Sequence, residues 1–149
     1  IGMRRKIAEA DPTFDAVHAM PEKLARVAEA DLVVLCCPLT PETRGMIDAA
    51  ALSAMKPSAY LINVARGGCV VEADLINALN NGEIMAAGID VTDPEPLPDT
   101  SPLWEMKNVL LTPHTAGETR FYEDNVLDIL MENIGRLERG ETELLNQIV

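Results

Sequence analysis

Aromatic residues are scarce in this chain. One Trp, two Tyr and two Phe are all that its 149 residues carry, so a core must rest on Val, Ile, Leu, Met and Ala. No apolar run approaches the roughly eighteen residues of a membrane-spanning helix. No basic, then apolar, then small-residue pattern opens the chain as a secretory leader would. Basic residues are also few: 12 Lys and Arg against 24 Asp and Glu give a formal net charge of −12. That balance argues against general nucleic-acid or membrane-surface binding, which needs a basic patch. Any anionic ligand must therefore be caught by local Arg, Lys or backbone N–H groups. Cysteines number three. Cys36 and Cys37 are adjacent, so no Cys-x-x-Cys metal or redox spacing exists, and no metal site is expected. An odd count without a leader points to a reducing, cytoplasmic setting, with all three cysteines as packing residues.

What is present is a globular composition, 48% hydrophobic, in a chain long enough for one domain with a real core. Apolar runs alternate with helical patterns. Leu32 to Cys37 is a continuous apolar run, expected as a strand buried on both faces. Pro41-Glu42-Thr43 is expected to open a short helix, and Asp48 to Met55 another turn or two. Ala59 to Val64 is the next strand, and Glu72 to Asn80 a helix with an apolar stripe of Ala73, Leu75, Ile76 and Leu79. Asn81-Gly82 ends it as a C-cap. Ala86 to Val91 and Val109 to Thr112 complete the strands. The intervening Asp93-Pro94-Glu95-Pro96-Leu97-Pro98 is too proline-rich for a helix or a central strand. Glu118 to Arg139 reads as a long helix, with Val126, Ile129, Leu130, Ile134 and Leu137 on one face. This alternation predicts an α/β, doubly wound parallel sheet. Ile1-Gly2-Met3 reads as the end of a strand, so the sheet is expected to be incomplete at its N-terminal end.

Three charged or titratable residues stand just beyond strand-like runs: Arg66 after Leu61–Val64, Glu95 after Ala86–Val91, and His114 after Val109–Leu111. Ligands of open parallel sheets bind outside the carboxyl ends of the strands, so one fold can bring a cation, a carboxylate and an imidazole to one edge. That set suits reversible hydride chemistry on a 2-keto acid. Arg would hold the substrate carboxylate, His would carry the proton, and an acid would orient His. Spacing alone does not choose between Glu95 and Asp93 for that acid. His18 reads as a surface residue. Met46, Met55, Met85 and Met131 read as core filler.

The stretches Pro38-Leu39-Thr40-Pro41-Glu42-Thr43-Arg44-Gly45, Asn63-Val64-Ala65-Arg66-Gly67-Gly68, Gly88-Ile89-Asp90-Val91 through Glu95-Pro96-Leu97, Ser101-Pro102-Leu103-Trp104, and Asn108-Val109 through Thr112-Pro113-His114 follow one another in order. Together they closely resemble the D-isomer-specific 2-hydroxyacid dehydrogenases, over nearly the whole chain. The resemblance implies a Rossmann-like dinucleotide-binding domain. It implies that Arg66 binds the substrate carboxylate, a task suited to a planar bidentate guanidinium. It implies that His114 is the acid/base and that Glu95 pairs with it, favouring the imidazolium. Pro38 and Thr43 would line the dinucleotide cleft. Val64, Ala65 and Arg66 would lie against the nicotinamide, with His114 facing it. Asp90 would receive the nicotinamide carboxamide, and the backbones of Ala116 and Gly117 would lie close by.

The resemblance also frames the cofactor. Arg4, followed by Arg5 and Lys6, stands where NAD-preferring members carry an acid. Arg there accommodates a 2′-phosphate, so NADP is favoured over NAD. The Gly-x-Gly-x-x-Gly loop occurs nowhere in the chain. The expectation is therefore a piece of a longer dehydrogenase: residues 1–117 a partial dinucleotide-binding domain lacking the glycine-rich loop, and residues 118–149 a C-terminal helix and tail returning toward an absent substrate domain. Such a piece would expose a strand edge and an apolar face, and its parent would be a homodimer. The implied partner is a small 2-keto or 2-hydroxy acid, with glyoxylate or hydroxypyruvate the natural guess. The alternatives are a dinucleotide-sensing binding protein of the same fold and an inactive fragment.

Overall fold

A computed structural model describes residues 1–4 and 13–147. The chain divides into two compact units, 1–116 and 117–149. In the first, strands β1 (Gly2–Arg4) and β2 (Val17–Ala19) form a parallel pair. Strands β3 (Leu32–Leu35), β4 (Tyr60–Asn63), β5 (Ala86–Ile89) and β6 (Val109–Leu111) form a second, all-parallel sheet in the order β3-β4-β5-β6. Helices α1 (Lys23–Glu29), α2 (Ala49–Ala54) and α3 (Glu72–Asn81) lie between successive strands and pack in sequence, α1 on α2 and α2 on α3. This is the parallel α/β architecture that the alternating pattern implied.

Helices α2 and α3 have local boundary signals. The Asp48 carboxylate accepts from the N–H of Ala51 at 2.9 Å, and Asp74 accepts from the N–H of Ala49 at 2.9 Å, so two acids cap α2. Glu72 and Asp74 sit in the first turn of α3, where the helix dipole favours negative charge. Gly82, with φ at 70°, ends α3 in the left-handed region.

The core lies between the sheet and α1–α3. Leu35, Leu61, Ala87 and Ile89 point into it from the strands, and Val27, Leu52, Leu75 and Leu79 meet them from the helices. Each fully buried Leu contributes about 2 kcal/mol from apolar burial. The opposite face of the sheet is bare. Leu32 and Val34 are 55% and 49% exposed, Tyr60 is 47% and Leu110 69%. The expectation that Leu32–Cys37 is buried on both faces is therefore corrected. Its continuous apolar run is real, but among the described residues of this unit helices cover only one face.

Other differences follow from local chemistry. Pro41 to Gly45 forms turns rather than a helix, because the Thr43 hydroxyl and the Thr40 amide close a hydrogen-bonded loop at 2.7 Å. His18 is largely covered and pairs with Glu22 at 3.0 Å. Met55 is buried as expected, whereas Met85 and Met131 are exposed. In the second unit, α4 (Tyr122–Glu138) starts four residues later than the pattern suggested. Leu145 returns against it: its N–H donates to the Asn133 side-chain oxygen at 2.7 Å, and its carbonyl accepts from the Asn133 side-chain amide at 3.1 Å. No helix among the described residues is long and apolar enough to cross a membrane.

Candidate active site

The loops after β4, β5 and β6 carry Arg66, Glu95 and His114. Glu95 and His114 meet directly: Nδ1 of His114 lies 2.8 Å from Oε1 of Glu95. Asp93, the other acid that spacing allowed, pairs instead with Arg44 at 3.6 Å. The structure thus separates two carboxylates that the sequence could not.

His114 holds an unusual backbone conformation, with φ at 58°. A side chain with a Cβ pays about 1–2 kcal/mol in this left-handed region, so something must hold it there. Asp90 does. One carboxylate oxygen accepts from the Thr112 hydroxyl at 2.5 Å and from the Thr115 N–H at 2.9 Å, and the other accepts from the Ala116 N–H at 2.9 Å. These three groups bracket His114. Asp90 is 5% exposed. Burial pushes its carboxyl up, but the bonds from Thr112, Ala116 and Thr115, with the charge of His114, outweigh it and hold Asp90 below its ordinary 3.8. The carboxylate is therefore ionised when it grips the turn.

A second buried polar group shapes the Arg66 loop. Asn63 is 1% exposed. Its oxygen accepts from the Ala65 N–H at 3.1 Å, and its amide donates to the Arg66 carbonyl at 3.1 Å. Arg66 itself is exposed and gives one guanidinium N–H to the Ala65 carbonyl at 2.6 Å. Gly67 brings this loop against the Glu95 loop. A Cβ at Gly67 would stand 2.0 Å from the Thr92 carbonyl carbon and 2.1 Å from its oxygen, so only glycine fits there. Gly68 is less crowded, with side-chain atoms of Arg44 and Asp93 3.0 and 3.2 Å from the place of a Cβ.

Beside Arg66 opens a cleft of about 490 Å³, lined by Cys36, Cys37, Pro38, Leu39, Val64, Ala65 and Arg66. Of the residues expected to hold a cofactor, Pro38, Val64, Ala65 and Arg66 share this wall. Thr43 is not among its lining residues; its hydroxyl donates to the Pro38 carbonyl at 2.8 Å and shapes the turn that carries Pro38. Arg4 also lies outside the lining, at the end of β1, with its guanidinium 5.7 Å from the centre of the Phe14 ring. Arg5 and Lys6 fall outside the described residues. Gly117 begins the second unit. The lining mixes apolar groups from Pro38, Leu39, Val64 and Ala65 with the Arg66 guanidinium and two thiols. Among the described residues no glycine-rich cradle for the pyrophosphate accompanies it.

Sequence reasoning missed Asn63, Thr112 and Thr115 as parts of this site. Asn63 carried a signal, a polar residue closing an apolar strand. The threonines did not, because their role depends on Asp90, 22 and 25 residues away in the chain.

A parallel sheet with an Arg, a Glu–His pair and a cleft at its carboxyl edge defines a dinucleotide-binding domain of the dehydrogenase class. The family model for the D-isomer specific 2-hydroxyacid dehydrogenase NAD binding domain matches residues 1–116, and the chain belongs to this family. An uncharacterized protein encoded in the proB 3′ region of Corynebacterium melassecola is 47% identical over 137 residues, 92% of this chain and 44% of that protein. Glyoxylate/hydroxypyruvate reductase A of Photorhabdus laumondii is 44% identical over 104 residues, 70% of this chain and 33% of that enzyme. The crystal structure of a D-isomer specific 2-hydroxyacid dehydrogenase from Xanthobacter autotrophicus Py2, in complex with NADPH and MES, superposes with a TM-score of 0.81 at 43% identity, covering 89% of this chain and 42% of that one. The chain thus spans less than half the length of these relatives.

Proposed function

We propose that this chain carries the acid–base apparatus and the nicotinamide-side wall of a reductase that interconverts a 2-keto acid and its D-2-hydroxy acid. Glyoxylate and hydroxypyruvate are the proposed substrates, and NADP(H) is the proposed cofactor ahead of NAD(H). The observation that carries the reading is the 2.8 Å contact between His114 Nδ1 and Glu95 at the sheet edge that also carries Arg66. With Nδ1 committed to the carboxylate, the other ring nitrogen is left for substrate. The Nε2–H of the imidazolium donates its proton to the carbonyl oxygen as that oxygen gains charge. Glu95 orients the ring and stabilises its cationic form. The remaining guanidinium donors of Arg66 bind the substrate carboxylate and fix which face of the carbonyl meets the cofactor. Val64 and Ala65 offer an apolar wall to the nicotinamide and help exclude water. A reduced nicotinamide, when bound, supplies the hydride.

Three features support this reading: the family membership, the 44% identity to a glyoxylate/hydroxypyruvate reductase, and the NADPH in a 43% identical structure. The test is the loss of NADPH and NADH absorbance with hydroxypyruvate or glyoxylate. The expected result is turnover, faster with NADPH, that falls by at least about 100-fold in His114→Ala. Dinucleotide binding without turnover would instead match the sensing alternative. The absence of both binding and turnover would contradict the proposal for this chain.

A further inference from the structure

The cleft beside Arg66 is lined by two adjacent cysteines, Cys36 and Cys37, and by one charged residue, Arg66. Of the three cysteines expected as packing residues, only Cys69 is fully buried; Cys37 is half-buried and Cys36 is exposed. Both lining cysteines follow β3, whose end is tied to the Arg66 segment where the Val64 N–H donates to the Leu35 carbonyl at 3.1 Å. Arg66 is exposed, and one of its N–H groups is engaged, at the Ala65 carbonyl. Among the described residues no carboxylate pairs with it. A cation with uncommitted donors and an open thiol therefore share a space of about 490 Å³. A space that small keeps its walls roughly within a Debye length, 8–10 Å in ordinary buffers, so the guanidinium acts on any charge brought to Cys36.

We propose that Cys36 is a site of reversible S-thiolation, selective for small aliphatic disulfides that carry carboxylates, with Arg66 as the group that selects them. The Cys36 thiolate attacks one sulfur of the disulfide. A new S–S bond joins Cys36 to that half of the reagent, the old S–S bond breaks, and the other half leaves as a thiolate that water protonates. Cys36 is oxidised and the departing half is reduced, so no further oxidant is needed. The adduct stands in the cleft, where the guanidinium N–H groups of Arg66 donate to its carboxylate.

Charge makes this selection distinctive. The chain as a whole carries −12, so its long-range field attracts cations and repels anions. A preference for an anionic reagent must come from a local cation, and Arg66 is the charged residue of the lining. Accessibility separates Cys36 from the other two thiols. Burial pushes the Cys37 thiol above its ordinary 9.0 and lowers its share of the attacking thiolate, while the fully buried Cys69 is closed to reagents. The inference does not rest on the proposed reaction, since it needs neither cofactor nor turnover.

The experiment exposes the reduced chain to dithiodipropionate, hydroxyethyl disulfide and cystamine, which are anionic, neutral and cationic. Intact mass gives each rate, which is divided by the rate of the same reagent with free mercaptoethanol. Fragmentation of the tryptic peptide Val27–Arg44 gives the site. The expected adduct is at Cys36, is removed by dithiothreitol and is absent in Cys36→Ser. The anionic reagent should lead the neutral one by about fivefold, and the cationic one should be slowest. Arg66→Gln should abolish that lead without changing the neutral rate, whereas Arg66→Lys, which keeps the charge, retains it. A cationic reagent that reacts fastest, an adduct on Cys37 or Cys69, or an anionic lead that survives in Arg66→Gln would overturn the proposal.

Discussion

The two sides of the sheet's carboxyl edge are built differently. On the β5–β6 side, Asp90 binds three groups around His114, and His114 binds Glu95. Every link in that chain comes from within residues 90–116. On the β3 side, the cleft has walls from the segments after β3 and β4, while the outer edge of β3 pairs with nothing among the described residues. The face beneath it exposes Leu32 and Val34. The geometry around His114 is thus fixed by hydrogen bonds within one segment, whereas the cleft lies between two segments beside an exposed apolar strand face.

Substitutions sharpen this contrast, the largest effects first. Leu61→Ala on the covered face should cost about 3 kcal/mol, while Leu110→Ser on the bare face should change stability by less than about 0.5 kcal/mol and reduce self-association. Urea unfolding and sedimentation measure both, and equal costs would show that the two faces are alike. Gly67→Ala should cost up to about 3 kcal/mol, because its Cβ would meet the Thr92 backbone at 2.0 Å. A neutral result would mean that the Arg66 and Glu95 loops move apart freely. Asp90→Ala should cost about 2 kcal/mol by stripping partners from Thr112, Thr115 and Ala116. It should also release His114 from its left-handed backbone, which amide and ring NMR shifts would report.

The smallest effect is in pH. Asp90 is held below its ordinary 3.8, so its contribution is fully present above that value and is lost only as pH falls through the lowered one. Acid unfolding followed by circular dichroism should therefore show a shallower stability loss in Asp90→Asn over that acid limb. An unchanged limb would remove Asp90 from the account.

Much of this was legible in the sequence because its signals are local. Strands β3 to β6 announced themselves as apolar runs, and Gly82 announced the end of α3. The motifs around Arg66 and His114 placed both correctly just beyond strands. Elements β2 and α1 escaped notice, since three and seven residues are too few for periodicity to emerge. The exposed apolar face was expected from the resemblance, but the Leu32–Cys37 run was read as buried on both faces because a run records apolarity, not what packs against it. Asp90 as the clamp on His114 was invisible for a different reason: its partners become neighbours only when β5 and β6 pair.

The most direct test of the central claim is a double-mutant cycle on hydroxypyruvate reduction by NADPH. Glu95→Gln and His114→Ala are measured singly and together. If Glu95 acts through His114, the double variant is no slower than His114→Ala alone. Losses that multiply would show two independent groups and contradict the Glu95–His114 unit on which the proposed mechanism rests.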